Sequence, residues 1–306
     1  PLIKQAKLLA KQYDAVIANP PYMGNKYLNP NLKTYLKDNY QGYEKDLFSA
    51  FMIRDLQLTK ESGQLGFMSP FVWMFISSYE NLRAHFIDYA TITTLIQLEY
   101  SGFDGATVPI CTFTLAKSHI SDFVGSYIRL SDFRGSENQA PKTLEAINNP
   151  NCGWFFTAKP DDFKKIPGSP IAFWIGEKLR KNFEENPLLS STGITRKGMS
   201  SGNNDKLVRL WSEVSESKFI AGVLSREDSV ESRKKWFPYA NGGGFRKWYG
   251  NIEDVINWEN DGYIIQTDLH ETGRVRAVNL NLDYIFKEGI FWSDITSASI
   301  SARLLP

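Results

Sequence analysis

The 306-residue sequence lacks long apolar runs, has few cysteines and shows no excess of either charge. No stretch approaches the roughly 20 apolar residues that a helix needs to cross a bilayer, which excludes a membrane span. Two cysteines, Cys111 and Cys152, cannot form a disulfide framework, and no cysteine and histidine residues have zinc-site spacing. These features are typical of a reducing compartment, so we expect a cytoplasmic protein without a bound metal.

A net charge of +1 neither favours nor excludes a nucleic-acid partner. Any DNA-binding surface must therefore come from local clusters of basic residues. The sequence is rich in aromatic residues, with 20 Phe, 14 Tyr and 8 Trp, and 42% of its residues are hydrophobic. This composition indicates a folded protein with more than one domain.

Strand and helix patterns alternate through the first part of the chain, which predicts a parallel α/β layer fold. Residues 23–45 are polar and predict a loop. The predicted strands are residues 13–18, 64–68, 92–98 and 108–115. The predicted helices are residues 2–12, 46–63 and 78–89, and Asp46 is a candidate N-cap for the second of these.

After residue 118 the pattern loosens, and several prolines predict an irregular stretch. We expect a first domain over residues 1–150, a linker over 151–187 and a second, α+β domain over 188–306. The predicted strands of the later part are residues 206–211 and 263–266, and its predicted helices are residues 171–183 and 253–258.

The sharpest motif is Asn19-Pro20-Pro21-Tyr22, which directly follows the first predicted strand. Two consecutive prolines end both helix and sheet, so the motif predicts a stiff turn. Open α/β folds bind ligands beyond the carboxyl ends of their strands, which makes this turn a candidate functional loop. A proline-stiffened surface turn without a function is the alternative interpretation.

The residue types of this motif suit methylation of a planar exocyclic amine. Such an amine is a poor nucleophile because its lone pair is delocalised into the ring. The side-chain oxygen of Asn19 and the backbone carbonyl of Pro20 can accept its two N–H hydrogens, which aims the lone pair at a sulfonium methyl group. Tyr22 offers a π-face for the base. The amine loses its proton once it is quaternised, so the reaction needs no strong general base.

The order of motifs resembles the amino-group DNA methyltransferases, specifically the N6-adenine class. The matching blocks are residues 13–22, Asp46-Leu47-Phe48-Ser49-Ala50-Phe51, 63–70 and 102–115. The sequence is similar in particular to the large single-chain methyltransferases of BREX phage-defence systems, which are related to fused restriction–methylation enzymes. The parts that resemble their downstream recognition region are residues 193–211, 234–249, 257–262 and 289–303.

The resemblance implies the C-terminal half of a Rossmann-like methyltransferase sheet, followed by an α+β target-recognition region. It also implies S-adenosylmethionine as cofactor, double-stranded DNA as partner and adenine N6 methylation by base flipping in phage defence or restriction–modification. Other defence-system proteins are possible further partners. Carried over by position, Asn19 and Pro20 would hold the target nitrogen, and Tyr22 would stack on the adenine.

Three further aromatic and proline positions follow from the resemblance. Phe103 matches an aromatic residue that packs against the flipped base, with a core or loop position as the alternative. Pro21 and Phe51 match residues that line the pocket for the adenine of the cofactor. Phe51 also falls on the apolar face of its predicted helix, and a core position is the preferred interpretation for it.

The sequence departs from the family pattern in its cofactor motif. Enzymes of this class have a glycine-rich turn after an earlier strand, and no such turn precedes Asn19. We therefore expect the cofactor-binding half of the catalytic domain to lie upstream of Pro1, and the chain alone to be inactive. The glycine-rich run Asn241-Gly242-Gly243-Gly244-Phe245 is interpreted as a turn of the recognition region.

Basic residues recur beside aromatic residues in the second half of the sequence. Lysines in such clusters suit contacts with DNA phosphates, and arginines can pair with guanine edges. A solvated charged face with partly buried tryptophans is the alternative. The candidate DNA contacts are Arg196, Lys197, Arg233, Lys234, Lys235, Arg246 and Lys247.

Two other classes of function remain open. Release-factor glutamine methyltransferases and some RNA methyltransferases use the same four-residue motif on a planar nitrogen, but they usually end soon after the catalytic domain. The chain could also be a DNA-binding or docking module without catalysis of its own. A restriction activity would need a nuclease domain, and nothing in the sequence resembles one.

Overall fold

The computed structural model describes residues 1–100, 102, 108–292 and 301–305, and divides the chain into two compact units, Pro1–Leu188 and Leu189–Pro306. The first unit is mixed α/β, in agreement with the predicted fold class. Its elements, in chain order, are α1 (Leu2–Ala10), β1 (Tyr13–Ala18), α2 (Pro30–Asn39), α3 (Leu47–Leu58), β2 (Thr59–Pro70), α4 (Glu80–Tyr89), β3 (Thr91–Gln97), β4 (Ile110–Ala116), β5 (Gly125–Arg129), α5 (Ser136–Asn148), β6 (Phe155–Ala158) and α6 (Glu177–Glu185).

A six-stranded sheet in the order β1-β2-β4-β3-β5-β6 organises this unit. β1 pairs in parallel with β2, and β3 with β5, whereas β4 and β6 run antiparallel to their neighbours. The sheet is therefore mainly parallel, as predicted, and β4 and β6 are its antiparallel strands. β4 lies between β2 and β3 and pairs antiparallel with both.

One face of the sheet is buried beneath α3 and α4. The strands contribute Phe67 and Phe113 to this core, and the helices contribute Phe48, Met52 and Phe86. Burial of each such side chain contributes roughly 1.5–3 kcal/mol, so this layer supplies much of the stability of the unit. On β2, β3 and β4 the buried side chains alternate with half-buried and exposed ones.

The segment at residues 23–45, predicted as a loop, contains α2. Its N-cap is Asn29, whose side chain accepts a hydrogen bond from the backbone N–H of Leu32, and Pro30 occupies the first helical position. Leu36 is the buried residue of this helix. A polar sequence with so few apolar positions carries a weak helical signal, and the cap and the proline start the helix instead.

Residues 151–187, predicted as a linker, are an integral part of the first unit. β6 pairs with β5, which adds the sixth strand to the sheet. Phe163, Ile171 and Phe173 are buried in the same core as α3 and α4. A linker would leave these large apolar side chains in water, which is why the segment packs against the sheet.

Arg83 on α4 is a buried cation whose partners are backbone carbonyls. Its Nη1 donates to the carbonyl oxygens of Trp73 and Ile76, each at 2.8 Å. Its Nε and Nη2 donate to the carbonyl oxygen of Gly168, at 2.9 and 2.6 Å. Hydrogen bonds to a charged group contribute roughly 1.5–3 kcal/mol each. Arg83 therefore joins the segment after β2 to the loop at residues 166–169.

The second unit is α+β, as the sequence predicts. Its elements are α7 (Asn204–Leu207), β7 (Val208–Leu210), α8 (Arg226–Glu231), β8 (Trp236–Pro238), β9 (Asp254–Asn257), α9 (Glu259–Thr267), β10 (Gly289–Trp292) and β11 (Ala302–Leu305). β7, β9 and β8 form one antiparallel sheet, and β10 and β11 form another. Phe237, Ile256, Trp258 and Ile265 lie in its core.

Two predictions in this unit are wrong in element type. Residues 253–258, predicted as a helix, contain β9, and residues 263–266, predicted as a strand, lie in α9. Asn260, Asp261 and Gly262 adopt left-handed conformations and form a kink near the start of α9. Gly262 lies against the ring of Trp258, where a Cβ atom would stand 2.5 Å from the ring carbons, so only glycine fits. Within the described ranges, every helix is too short or too polar to reach across a bilayer.

Asp55 on α3 is a buried carboxyl group that generates a test of the core. Burial raises its pKa to about 6, and its Oδ2 has no hydrogen-bond partner among the described residues. Because the folded pKa lies above the unfolded value of 3.8, the neutral form favours folding. The contribution of Asp55 to the free energy of unfolding is therefore fully present below about pH 4 and is lost as the pH rises through about 6.

We expect Asp55→Asn to raise the free energy of unfolding by about 1–3 kcal/mol at pH 8 and to change it little at pH 4. The amide stays neutral at both pH values, so the substitution removes the cost of a buried charge at pH 8 alone. Urea unfolding at the two pH values measures the difference. Asp38→Asn, on the exposed face of α2, is the control. A destabilised Asp55→Asn protein at pH 8 would contradict the assignment.

Candidate active site

The turn Asn19–Tyr22 lies at the carboxyl edge of the sheet, as the sequence predicts. β1 ends at Ala18, which is paired with Phe67 of β2, so the turn begins beside the last residues of β2. Pro20 is buried, whereas Asn19 and Pro21 are exposed. The buried proline anchors the turn to the protein, and the exposed amide of Asn19 is left facing solvent.

Tyr22 fixes the side-chain amide of Asn19. The hydroxyl of Tyr22 donates to Oδ1 of Asn19 at 2.9 Å, and it also lies 3.4 Å from the backbone carbonyl of Met68. A hydroxyl has one hydrogen to donate, and the shorter contact is the stronger bond. The amide oxygen of Asn19 is thus oriented by its own turn, and one of its two lone pairs remains for another donor.

The ring of Tyr22 is half-buried against an aromatic row. It meets Phe48 edge-on, with ring centroids 6.4 Å apart, and Phe48 in turn lies 5.5 Å from Tyr79. Burial raises the pKa of Tyr22, with a smaller contribution from Cys111. The hydroxyl therefore stays protonated at neutral pH and remains a donor to Asn19.

Asp46 fastens the turn to the start of α3. Its Oδ1 accepts from the backbone N–H of Phe48 at 3.2 Å, which confirms the predicted N-cap, and from that of Met23 at 3.0 Å. The backbone N–H of Leu47 donates to the carbonyl of Met23 at 3.0 Å, which closes the junction. Burial raises the pKa of Asp46, and these backbone hydrogen bonds oppose the rise.

The contact from Asp46 to Met23 was not predicted, because no local sequence spacing links two residues so far apart. The one sequence feature related to this contact is the predicted N-cap itself, which lies at the start of a helix that packs beneath the functional turn. A single carboxylate oxygen thus serves both the helix and the turn.

The residues beneath the turn are not nucleophiles. Cys111 is fully buried, and burial raises the pKa of its thiol to about 12, so the thiol stays protonated. The sulfur of Cys111 lies 3.8 Å from the hydroxyl of Ser69. In the described part of the chain, no group of three histidine, cysteine, aspartate or glutamate side chains could hold a metal ion.

The remaining predicted pocket residues have different outcomes. Phe51 is 38% exposed, so the preferred interpretation of a core position is wrong: Phe48 and Met52 take the buried face of α3 instead. Pro21 is exposed beside the candidate catalytic amide. Phe103 lies outside the described residues.

The predicted DNA contacts are spread over the second unit. Arg196 and Lys197 are exposed, and the guanidinium of Arg196 lies 4.9 Å from the ring of Tyr284. Arg246 and Lys247 are also exposed, in the loop that precedes β9.

A further cluster of basic residues, Arg233, Lys234 and Lys235, lies between α8 and β8. Arg233 is exposed, and the ammonium of Lys235 lies 5.5 Å from the ring of Trp236. The ammonium of Lys234 donates to the backbone carbonyl of Ser217 at 2.7 Å, so part of its hydrogen-bonding capacity is used within the unit.

Residues 3–103 match the family model of the Eco57I restriction-modification methylase. The whole chain is 38% identical over 310 residues to the adenine-specific methyltransferase PglX of Lacticaseibacillus casei, and 37% identical to the adenine-specific methyltransferase BrxX of Escherichia coli. It spans 26% and 24% of the lengths of these two relatives.

A comparison with solved structures aligns part of the chain with the methyltransferase subunit of a type I restriction-modification system from Streptococcus thermophilus. The alignment has 17% identity and a TM-score of 0.41, and it covers 54% of this chain and 38% of that one.

We expect Asp46→Ala to loosen the turn as well as α3, because both lose their shared acceptor. Loss of a cap costs about 1 kcal/mol, and loss of the Met23 bond adds a similar amount. Hydrogen–deuterium exchange of the peptide over residues 19–25 should speed up markedly. Asn29→Ala, which removes the cap of α2 alone, is the matched control and should leave that peptide unchanged. Equal exchange rates of this peptide in the two variants would contradict the role of Asp46 in joining the turn to α3.

Proposed function

We propose, from the Eco57I-type methylase domain at residues 3–103, that the protein methylates N6 of adenine in double-stranded DNA. The methyl donor is S-adenosylmethionine, and the adenine leaves the duplex stack to reach the turn. The modification serves restriction–modification or phage defence. The identity of 38% to an adenine-specific methyltransferase over the whole chain supports this proposal.

The observation that carries the proposal is the orientation of Asn19. Its Oδ1 is held by Tyr22 and keeps one lone pair for an incoming N–H group. The backbone carbonyl of Pro20 supplies the second acceptor on a stiff turn. Two acceptors for two N–H hydrogens match an exocyclic amine and make its nitrogen more nucleophilic.

The chemical step then follows from positioning. The amine nitrogen, oriented by Asn19 and Pro20, would accept the methyl group that a bound S-adenosylmethionine would supply from its sulfonium centre. The nitrogen becomes cationic and loses one proton to water. Asn19 and Pro20 hold both N–H groups until the methyl group is transferred, so the described residues act by orientation and electrostatics rather than as a general base.

Part of the cofactor pocket lies on this chain. S-adenosylmethionine supplies the activated methyl group when it is bound. The exposed ring of Phe51 offers an apolar surface for the adenine of the cofactor, and the exposed Pro21 offers a second one beside the turn. Both residues therefore fit the role that the family resemblance implies for them.

DNA contacts are proposed for the second unit, where the basic residues accompany aromatic ones. The exposed Arg246 and Lys247 are the strongest candidates. Arg196, Lys197 and Arg233 are further exposed cations that can reach phosphates.

In a full-length methyltransferase that contains this chain, we expect Asn19→Ala to lower kcat by about a hundredfold or more, because an oriented hydrogen-bonding group is removed. Tyr22→Ala should cost less than Asn19→Ala. Tyr22→Phe should cost least, since it keeps the ring and removes only the hydroxyl that orients Asn19. Methyl transfer from labelled cofactor measures all three rates.

Two controls accompany these rates. Tyr27→Phe alters a tyrosine that is 70% exposed in the same part of the chain, and should leave the rate unchanged. DNA affinity should persist in Asn19→Ala. A rate above a tenth of the wild-type rate in Asn19→Ala would contradict the proposed role of Asn19 in holding the target amine.

We expect the double variant Arg246→Ala/Lys247→Ala to weaken duplex binding. The slope of log K against the logarithm of the salt concentration should become less negative by about 1.8, which is about 0.9 for each phosphate that is no longer neutralised. Lys234→Ala/Lys235→Ala should change the slope less, since Lys234 also donates to Ser217. Fluorescence anisotropy across a salt titration gives the slopes. Lys33→Ala/Lys37→Ala, on α2, is the control. An unchanged slope for the first variant would assign Arg246 and Lys247 to a solvated face.

A further inference from the structure

Three aromatic side chains of one short loop in the second unit are strongly exposed. Phe245, Trp248 and Tyr249 are 56%, 66% and 63% exposed. We call residues 245–249 the aromatic loop. Large aromatic rings normally lie inside a protein or in an interface, so a group of three exposed rings indicates a binding surface.

The backbone of the aromatic loop is anchored although its rings are exposed. The N–H of Trp248 donates to the carbonyl of Ala302 at 2.8 Å, and its carbonyl accepts from Leu304 at 3.1 Å, which ties it to β11. The side-chain amide of Asn251 donates to the carbonyl of Gly244 at 2.9 Å and closes the loop. The exposed rings are therefore attached to a backbone that hydrogen bonds hold in one conformation.

The conformation of the loop is specific. Trp248 has a φ of +75°, which non-glycine residues seldom adopt. Gly250 has a φ of +120°, and a Cβ atom there would stand 3.0 Å from Cγ of Arg246. The stem of Arg246 therefore lies against the bare backbone of Gly250. This packing limits the freedom of the arginine within the exposed loop.

The charges of the aromatic loop favour nucleic acid over a second protein surface. Arg246 and Lys247 lie between Phe245 and Trp248 in the sequence, and the ammonium of Lys247 lies 5.0 Å from the ring of Trp248. Lysine is depleted from protein–protein interfaces, whereas alternating cations and aromatic rings match the phosphates and bases of DNA.

We propose that the aromatic loop stacks on bases of double-stranded DNA at a point where the duplex is opened. Trp248 is the principal stacking residue, and Arg246 and Lys247 hold the adjacent phosphates. This role rests on the proposed function, because removal of an adenine from the stack exposes the faces of the neighbouring bases. A ring that covers such a face offsets part of the cost of unstacking.

The test compares binding of the chain to a fully paired duplex and to the same duplex with one mismatched pair. We expect the wild-type chain to bind the mismatched duplex at least about fivefold more tightly, because an opened pair gives the ring a base on which to stack. Trp248→Ala should abolish this preference, and Trp248→Phe should retain most of it. The salt dependence should be the same in Trp248→Ala and wild type, because the ring carries no charge.

Trp211→Ala is the matched control. Trp211 belongs to the same unit and is 62% exposed, but it lies outside the aromatic loop. An equal loss of preference in Trp211→Ala, or no preference in the wild-type chain, would overturn the proposal. So would a dimer in sedimentation that Trp248→Ala converts to a monomer, because a second copy would then cover the rings. These binding measurements do not depend on catalysis. Failure of the stacking proposal can therefore be distinguished from failure of the proposed methylation function, which the Asn19 variants test.

Discussion

A single carboxylate oxygen sets the geometry on which the candidate active site depends. Oδ1 of Asp46 accepts from the backbone N–H of Phe48, at the start of α3, and from that of Met23, directly after the functional turn. The helix carries Phe48, against which the ring of Tyr22 packs, and Tyr22 orients Asn19. The position of the amide therefore follows from a chain of contacts that begins in the core and ends at the surface.

This arrangement assigns two physical tasks to Tyr22. Its ring joins the turn to the aromatic row beneath it, and its hydroxyl holds the amide oxygen of Asn19. The sequence suggests only the stacking task, because a π-face is a property of the residue type. The orienting task depends on the path of the backbone between Asn19 and Tyr22, which residue types alone do not specify.

The sequence predicts elements well where the local signal is strong. β1 is an apolar run ended by two prolines, and the N-cap of α3 is an aspartate ahead of apolar residues at helical spacing. The sequence resemblance to adenine-specific methyltransferases is likewise confirmed, since it rests on motifs in a fixed order. Local signals of this kind need no knowledge of the remaining chain.

Predictions are wrong where the outcome depends on distant residues. Phe51 falls on an apolar helix face, but the sheet lies on the side of Phe48 and Met52, so Phe51 stays exposed. β9 and α9 have apolar runs of similar length, and only pairing with β7 and β8 makes the first of them a strand.

The guanidinium of Arg83 has a consequence for how this protein can vary. It serves three carbonyl oxygens on two separate segments, and its rigid, planar set of donors matches their directions. Lysine would keep the charge but could not reach both segments with the same geometry. A substitution at position 83 therefore leaves carbonyl oxygens of both segments without their donor, and the loop at residues 166–169 needs a new partner to keep its conformation.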